Sequence, residues 1–138
     1  MSGYVTVTVT VSDTEPSVVE SVKTNTVPNL EALQSVVGGL IEPMFTVPSP
    51  VRKNIELTAY VNEEGLCIGL PVRAAVVDSY GVRPFAGSMI IVGLDSEGDT
   101  VLLDDSEIAF LELNILARAT PLFDYGIMVE AVIYPEGK

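Results

Sequence analysis

Residues 88–94 read Ser-Met-Ile-Ile-Val-Gly-Leu, and the five that follow, 95–99, read Asp-Ser-Glu-Gly-Asp. An uncharged stretch with apolar side chains at both parities is the pattern of a central strand. The acidic, glycine-containing pentapeptide is turn chemistry, and residues 100–103 are placed to return beside the first strand. An antiparallel hairpin in the middle of a sheet is therefore the point from which the rest of the chain is read.

Towards the N-terminus, residues 4–11 alternate valine with threonine: Val5, Val7, Val9 and Val11 fall on one face, Thr6, Thr8 and Thr10 on the other. Residues 12–16 supply a turn, and residues 18–23 are β-branched enough to return as a hairpin partner. Asn29 precedes Leu30, Leu33, Val36 and Val37, which line one face of a helix that Gly38-Gly39 ends. Residues 40–47 read as a strand that Pro43 confines to an edge or a bulge. Ile55, Leu57, Ala59 and Val61 alternate into a turn at 62–65, with 66–70 returning as a short strand, and 74–77 form another strand before a turn at 78–81. Asp104 with Glu107 three residues on is a capping box; it opens a second, longer helix striped by Ile108, Leu111, Ile115 and Leu116 and ended by Pro121. Residues 127–134 make a last strand. The order predicts a single domain over 1–138 of the α+β class. Its sheet is mainly antiparallel, of about five to seven strands, with two principal helices packed on one face. The strand at 4–11 and the Pro43 strand are both expected at edges, where a second copy of the chain could complete them into a homo-oligomer.

Composition narrows the function. The 138 residues carry 19 Asp+Glu against 7 Lys+Arg, a net charge of −12, which repels nucleic acid and anionic lipid. Without histidine, every Ser-His or Cys-His nucleophile arrangement is excluded, and the usual metal ligand with it. Neither GxGxxG nor GxxxxGK[ST] occurs, so no cofactor is expected, and no metal site either. The lone Cys67 sits between Leu66 and Ile68 and reads as a buried, inert thiol in a reducing compartment. No basic leader or membrane-length apolar run is legible, so a cytoplasmic location is expected.

Two constellations stand out. Arg52, Lys53, Arg73 and Arg83 are four of the seven basic residues and fall between positions 52 and 83. Arginines there, with Tyr80, form a candidate pocket for a small anionic ligand such as a nucleotide, because a guanidinium forks onto phosphate and an aromatic ring stacks on a base. Tyr60 and Phe85 are further aromatic candidates, for which core packing is the plainer reading. The second constellation is acidic: residues 84–117 contain no Lys or Arg, while Asp95, Glu97, Asp99, Asp104, Asp105, Glu107 and Glu112 all lie there. Such a run reads either as a solvated face with helix caps or as a partner-binding surface that imitates DNA.

The segments Leu30-Glu31-Ala32-Leu33-Gln34, Val37-Gly38-Gly39, Asn62-Glu63-Glu64-Gly65, Gly69-Leu70-Pro71, Ala86-Gly87-Ser88 and Ile91-Val92-Gly93, in this order, resemble a small domain family of unknown function found in phages, plasmids and integrative elements. The resemblance implies a mobile-element origin, frequently beside anti-restriction genes, and no particular activity. Family members often carry Asn-Arg after the Leu-Pro, where Val72-Arg73 stands here. The expected function is an accessory binding protein that counters host defence by sequestering a small anionic ligand or blocking a host protein. An acidic DNA mimic and a structural assembly module are the alternatives, and an enzyme has the least support.

Overall fold

A computed structural model of the chain describes residues 2–8, 18–65, 67–70, 72–118 and 131–137. Its centre is β7 (Met89–Leu94), every residue of which is buried except Leu94. Around it the first sheet runs β2 (Val18–Lys23), β1 (Gly3–Thr8), β7, β4 (Glu56–Asn62), β3 (Ile41–Pro48), with β8 (Thr100–Val101) also paired to β7. All of these pairings are antiparallel. A second sheet has the order β6 (Gly81–Ala86), β5 (Val72–Asp78), β10 (Ala131–Ile133), β9 (Leu116–Arg118), in which β10 and β5 run parallel. The α+β class and the mainly antiparallel pairing thus hold, but the strands number ten among the described residues rather than five to seven, and form two sheets rather than one.

The parity of β7 explains the layering. Met89 and Ile91 point into the main core with Val5, Val7, Leu57 and Ala59, against Ala74, Val76, Phe85 and Ile133 of the second sheet. Ile90 and Val92 point the other way and are covered by Leu33 and Val37 of α1 (Leu30–Val37). This helix is capped as its sequence requires: the Asn29 side chain accepts the Ala32 N–H at 2.9 Å, and Gly38 closes it in the left-handed conformation at φ 84°. Ile108, Leu111 and Ile115, on α2 (Asp105–Phe110) and the π-helical turn Leu111–Ile115 that continues it, belong to the main core. The two helices therefore lie on opposite faces of the first sheet, not on one, because β7 is apolar on both sides and each side needs a cover.

Other expectations shift locally. Leu116 is the first residue of β9 rather than the end of the helical stripe, since its backbone is already extended. Residues 67–69 are turn, not a return strand, and Cys67 is exposed rather than buried. β1 is interior, paired on both sides, so the edge expected there belongs to β2. β3 is an edge, with a register shift between Pro43 and Phe45. Val9 and Val11, Pro121 and residues 127–130 lie outside the described residues. Among the described residues no helix is long and apolar enough to cross a membrane.

Candidate functional site

Arg52 does not open towards a ligand. Its Nη2 donates to Glu107 Oε1 at 2.6 Å and to the Leu102 carbonyl at 2.8 Å, while Nε donates to Glu107 Oε2 at 3.1 Å. Glu107 Oε2 also accepts from Ser49 Oγ at 2.5 Å, and Oε1 accepts the Asp104 N–H at 2.9 Å. With the Asp104 side chain accepting the Glu107 N–H at 2.8 Å, this completes the capping box of α2. The Glu107 side chain is fully buried. Burial alone raises its pKa, but hydrogen bonds from Arg52, Ser49 and the Asp104 backbone, with the Arg52 charge, outweigh that and leave it lowered. Arg52 is held above its usual value, chiefly by the hydrogen bond to Glu107. The unit fastens the loop after β3 to the start of α2.

The acidic run is dispersed by the same logic. Asp105 pairs with Lys23 Nζ at 2.9 Å, and this bond lowers its pKa. Glu107 is withdrawn into the interior, and Asp104, half exposed, caps α2 and lies 3.8 Å from Arg52 Nε. Asp95 Oδ1 accepts the N–H groups of Glu97 and Asp99, each at 2.9 Å, which makes the 95–99 segment the hairpin turn its sequence suggests. Glu97, Asp99 and Glu112 are exposed. Among the described residues no cluster of Cys, Asp and Glu is placed to hold a metal ion.

What the fold does assemble is a cleft between two sheet edges, β3 and β6. At one end Met44, Thr46, Val47, Asp78, Tyr80, Arg83 and Glu136 surround a cavity of about 310 Å³. Asp78 ends β5 and Gly81 starts β6, with Ser79 and Tyr80 as the hairpin tip; Gly81 takes φ 105°, a conformation other residues rarely adopt. Asp78 accepts the Tyr80 N–H at 2.9 Å and Arg83 Nη2 at 2.5 Å, and Glu136 accepts the Ser79 N–H at 2.6 Å. Arg83 lies 6.0 Å from the Tyr80 ring centroid, and its Nε is buried without a hydrogen-bond partner. Tyr80 itself is 86% exposed. At the other end Glu42, Met44, Asn62, Glu63, Cys67 and Phe85 border a cavity of about 200 Å³. Met44 lines both cavities, and its carbonyl accepts Arg83 Nη1 at 3.5 Å across the cleft.

Of the residues singled out from sequence, the structure brings Arg83 and Tyr80 together. Arg52 is committed elsewhere. Arg73 lies in β5 at the register shift between Val72 and Ala74, and its side chain falls outside the described residues. Lys53 is exposed in the loop before β4. Tyr60 is partly buried against α1, and burial raises its pKa. Sequence reading missed Glu42, Met44, Glu63, Asp78 and Glu136. Asp78 had a legible signal, a carboxylate opening the Asp-Ser-Tyr-Gly turn. The others become neighbours only when two sheets pack edge by edge.

A family model described as Domain of unknown function (DUF3846) matches residues 5–115. That span contains β3, β6 and every cleft residue named above except Glu136. No curated protein and no solved structure matches the chain.

Proposed function

The chain belongs to the DUF3846 family, and we propose that it is a non-catalytic binding protein that engages a partner protein through the β3–β6 cleft, with Tyr80 as the anchor. The observation that carries this reading is a large aromatic residue, 86% exposed, held at a hairpin tip beside Arg83 and over a cavity lined by Met44, Phe45 and Val47. Tyr and Arg are residue types that dominate interface energetics, and here the two stand side by side. The chain's other strong polar cluster, around Glu107, is consumed internally and leaves no group to do chemistry. In a protein resembling those of phages, plasmids and integrative elements, such engagement serves to block a host protein and so to counter host defence.

A small anionic ligand at Arg83 is the second reading, favoured by the unpartnered Nε. Asp78 and Glu136 beside that guanidinium weigh against it, since they repel an anion at short range. A photo-crosslinking residue placed at Tyr80, compared with one at the exposed Leu113, tests the proposal in cells of the host. A discrete adduct from position 80 alone is expected. Adducts only from position 113, or a melting-temperature rise with nucleotides in the absence of any adduct, would replace the proposal with another surface or with the anionic ligand.

A further inference from the structure

We infer that the occupant of the β3–β6 cleft is an extended, cationic segment of the partner protein; this rests on the partner-binding reading and adds the partner's chemistry. The walls of the cleft set the charge. Glu42 and Glu63 stand at one end and the exposed Glu136 at the other, while Arg83 and the buried Asp78 neutralise each other in an ion pair. Glu42 and Glu63 are exposed, and neither is in an ion pair among the described residues. The exposed ring of Tyr80 adds a π face that attracts ammonium and guanidinium groups. Between the ends the floor is apolar, with Met44, Phe45 and Phe85.

The edges determine how such a segment is held. The Ser49 N–H bonds to the Ile55 carbonyl at 2.9 Å, so Pro48, one residue back, faces away from β4. On the far side of the bulge the Leu40 carbonyl accepts the Glu63 N–H at 2.8 Å, which by the same alternation turns Pro43 outward. Pro84 sits on the edge strand β6. Prolines at these positions remove backbone donors, so strand addition is blunted and recognition falls to side chains. Four steps of a regular extended segment span about 13 Å and return its side chains to the same face. Basic residues four apart on such a segment face the two ends of the cleft, with apolar side chains between them over the floor.

The probe is a fluorescein-labelled decapeptide with two lysines four positions apart and leucine or threonine elsewhere, read by fluorescence anisotropy at physiological salt. Comparison peptides carry glutamine or glutamate in place of both lysines, or place the lysines side by side. The spaced-lysine peptide is expected to bind about tenfold more tightly than each comparison peptide. Its affinity should fall by about the same factor with Glu42→Gln/Glu63→Gln and with Tyr80→Ala. Glu97→Gln/Asp99→Asn, which removes the same charge from the exposed β7–β8 turn, should leave it unchanged. Equal weakening by the turn variant would reduce the effect to the overall field of the protein and overturn the inference. Tightest binding of the glutamate peptide, lost with Tyr80→Ala, would overturn the cationic chemistry and leave the binding reading standing. Absence of binding by every peptide, while position 80 still crosslinks a partner, would do the same; absence of both defeats both.

Discussion

Removing Arg52 should cost more than neutralising its partner, although Glu107 is the buried member of the pair. Arg52→Ala strips the charged donors from a carboxylate that is fully buried and keeps only Ser49 Oγ and the Asp104 N–H. Breaking a buried pair in this way costs about 3–5 kcal/mol. Glu107→Gln retains the shape and an oxygen for the Asp104 N–H, so no cavity forms and the cap survives. It leaves Arg52, whose side chain is 36% exposed, able to rehydrate. The loss is then that of charge-assisted hydrogen bonds, about 1.5–3 kcal/mol. The double variant should cost at least about 1 kcal/mol less than the sum, because each change removes the same interaction. Protonation reports on the same unit. Glu107 is lowered in the folded protein, so its contribution is complete above the ordinary glutamate pKa and is lost as pH falls through the folded value. Glu107→Gln should therefore flatten the decline in stability below about pH 4.3. Urea midpoints at pH 7 and at pH 3–4 supply all of these quantities. A cost for Arg52→Ala under about 1 kcal/mol, or full additivity, would show that the network is a solvated surface contact.

Leu33→Ala, which removes the side chain that α1 lays on Ile90 and Val92, should destabilise the protein by about 2–5 kcal/mol in denaturant titration. Cys67 should react with an aromatic disulfide reagent in the native state, one thiol per chain, without a lag; protection until denaturant is added would contradict its exposure. Pro43→Val with Pro48→Val restores outward donors to β3 and should produce concentration-dependent association in light scattering, where an unchanged mass would show that the prolines do not guard this edge.

Local chemistry made much of the fold legible. The valine–threonine alternation, the Asn29 cap, the capping box at Asp104 and the edge position of Pro43 are short-range patterns, and each appears in the structure where its residues sit. The layering was not legible: residues 88–94 show only that both faces of β7 need cover, and two helices on one face with a single sheet were expected, whereas α1 covers one face and α2 with a second sheet covers the other. What sequence could not supply is the pairing of distant edges. Residues 81–86 were not read as a strand at all, and local patterns do not tell that β3 and β6 meet, so Glu42, Glu63 and Glu136 looked like ordinary surface acids. The arginines mislead for a related reason. A guanidinium is equally suited to phosphate and to carboxylate, and with 19 acidic residues in the chain Arg52 finds its partner at home.

The cleft as binding surface is tested most directly by nitrogen–proton correlation spectra of the labelled protein titrated with the spaced-lysine peptide. Shift changes are expected to be confined to residues 42–47, 62–65, 78–86 and 135–137, to saturate together with one dissociation constant and to be abolished by Tyr80→Ala. Saturable changes centred instead on α1, on β2 or on the acidic segment at 95–112, with the cleft resonances unmoved, would contradict that reading.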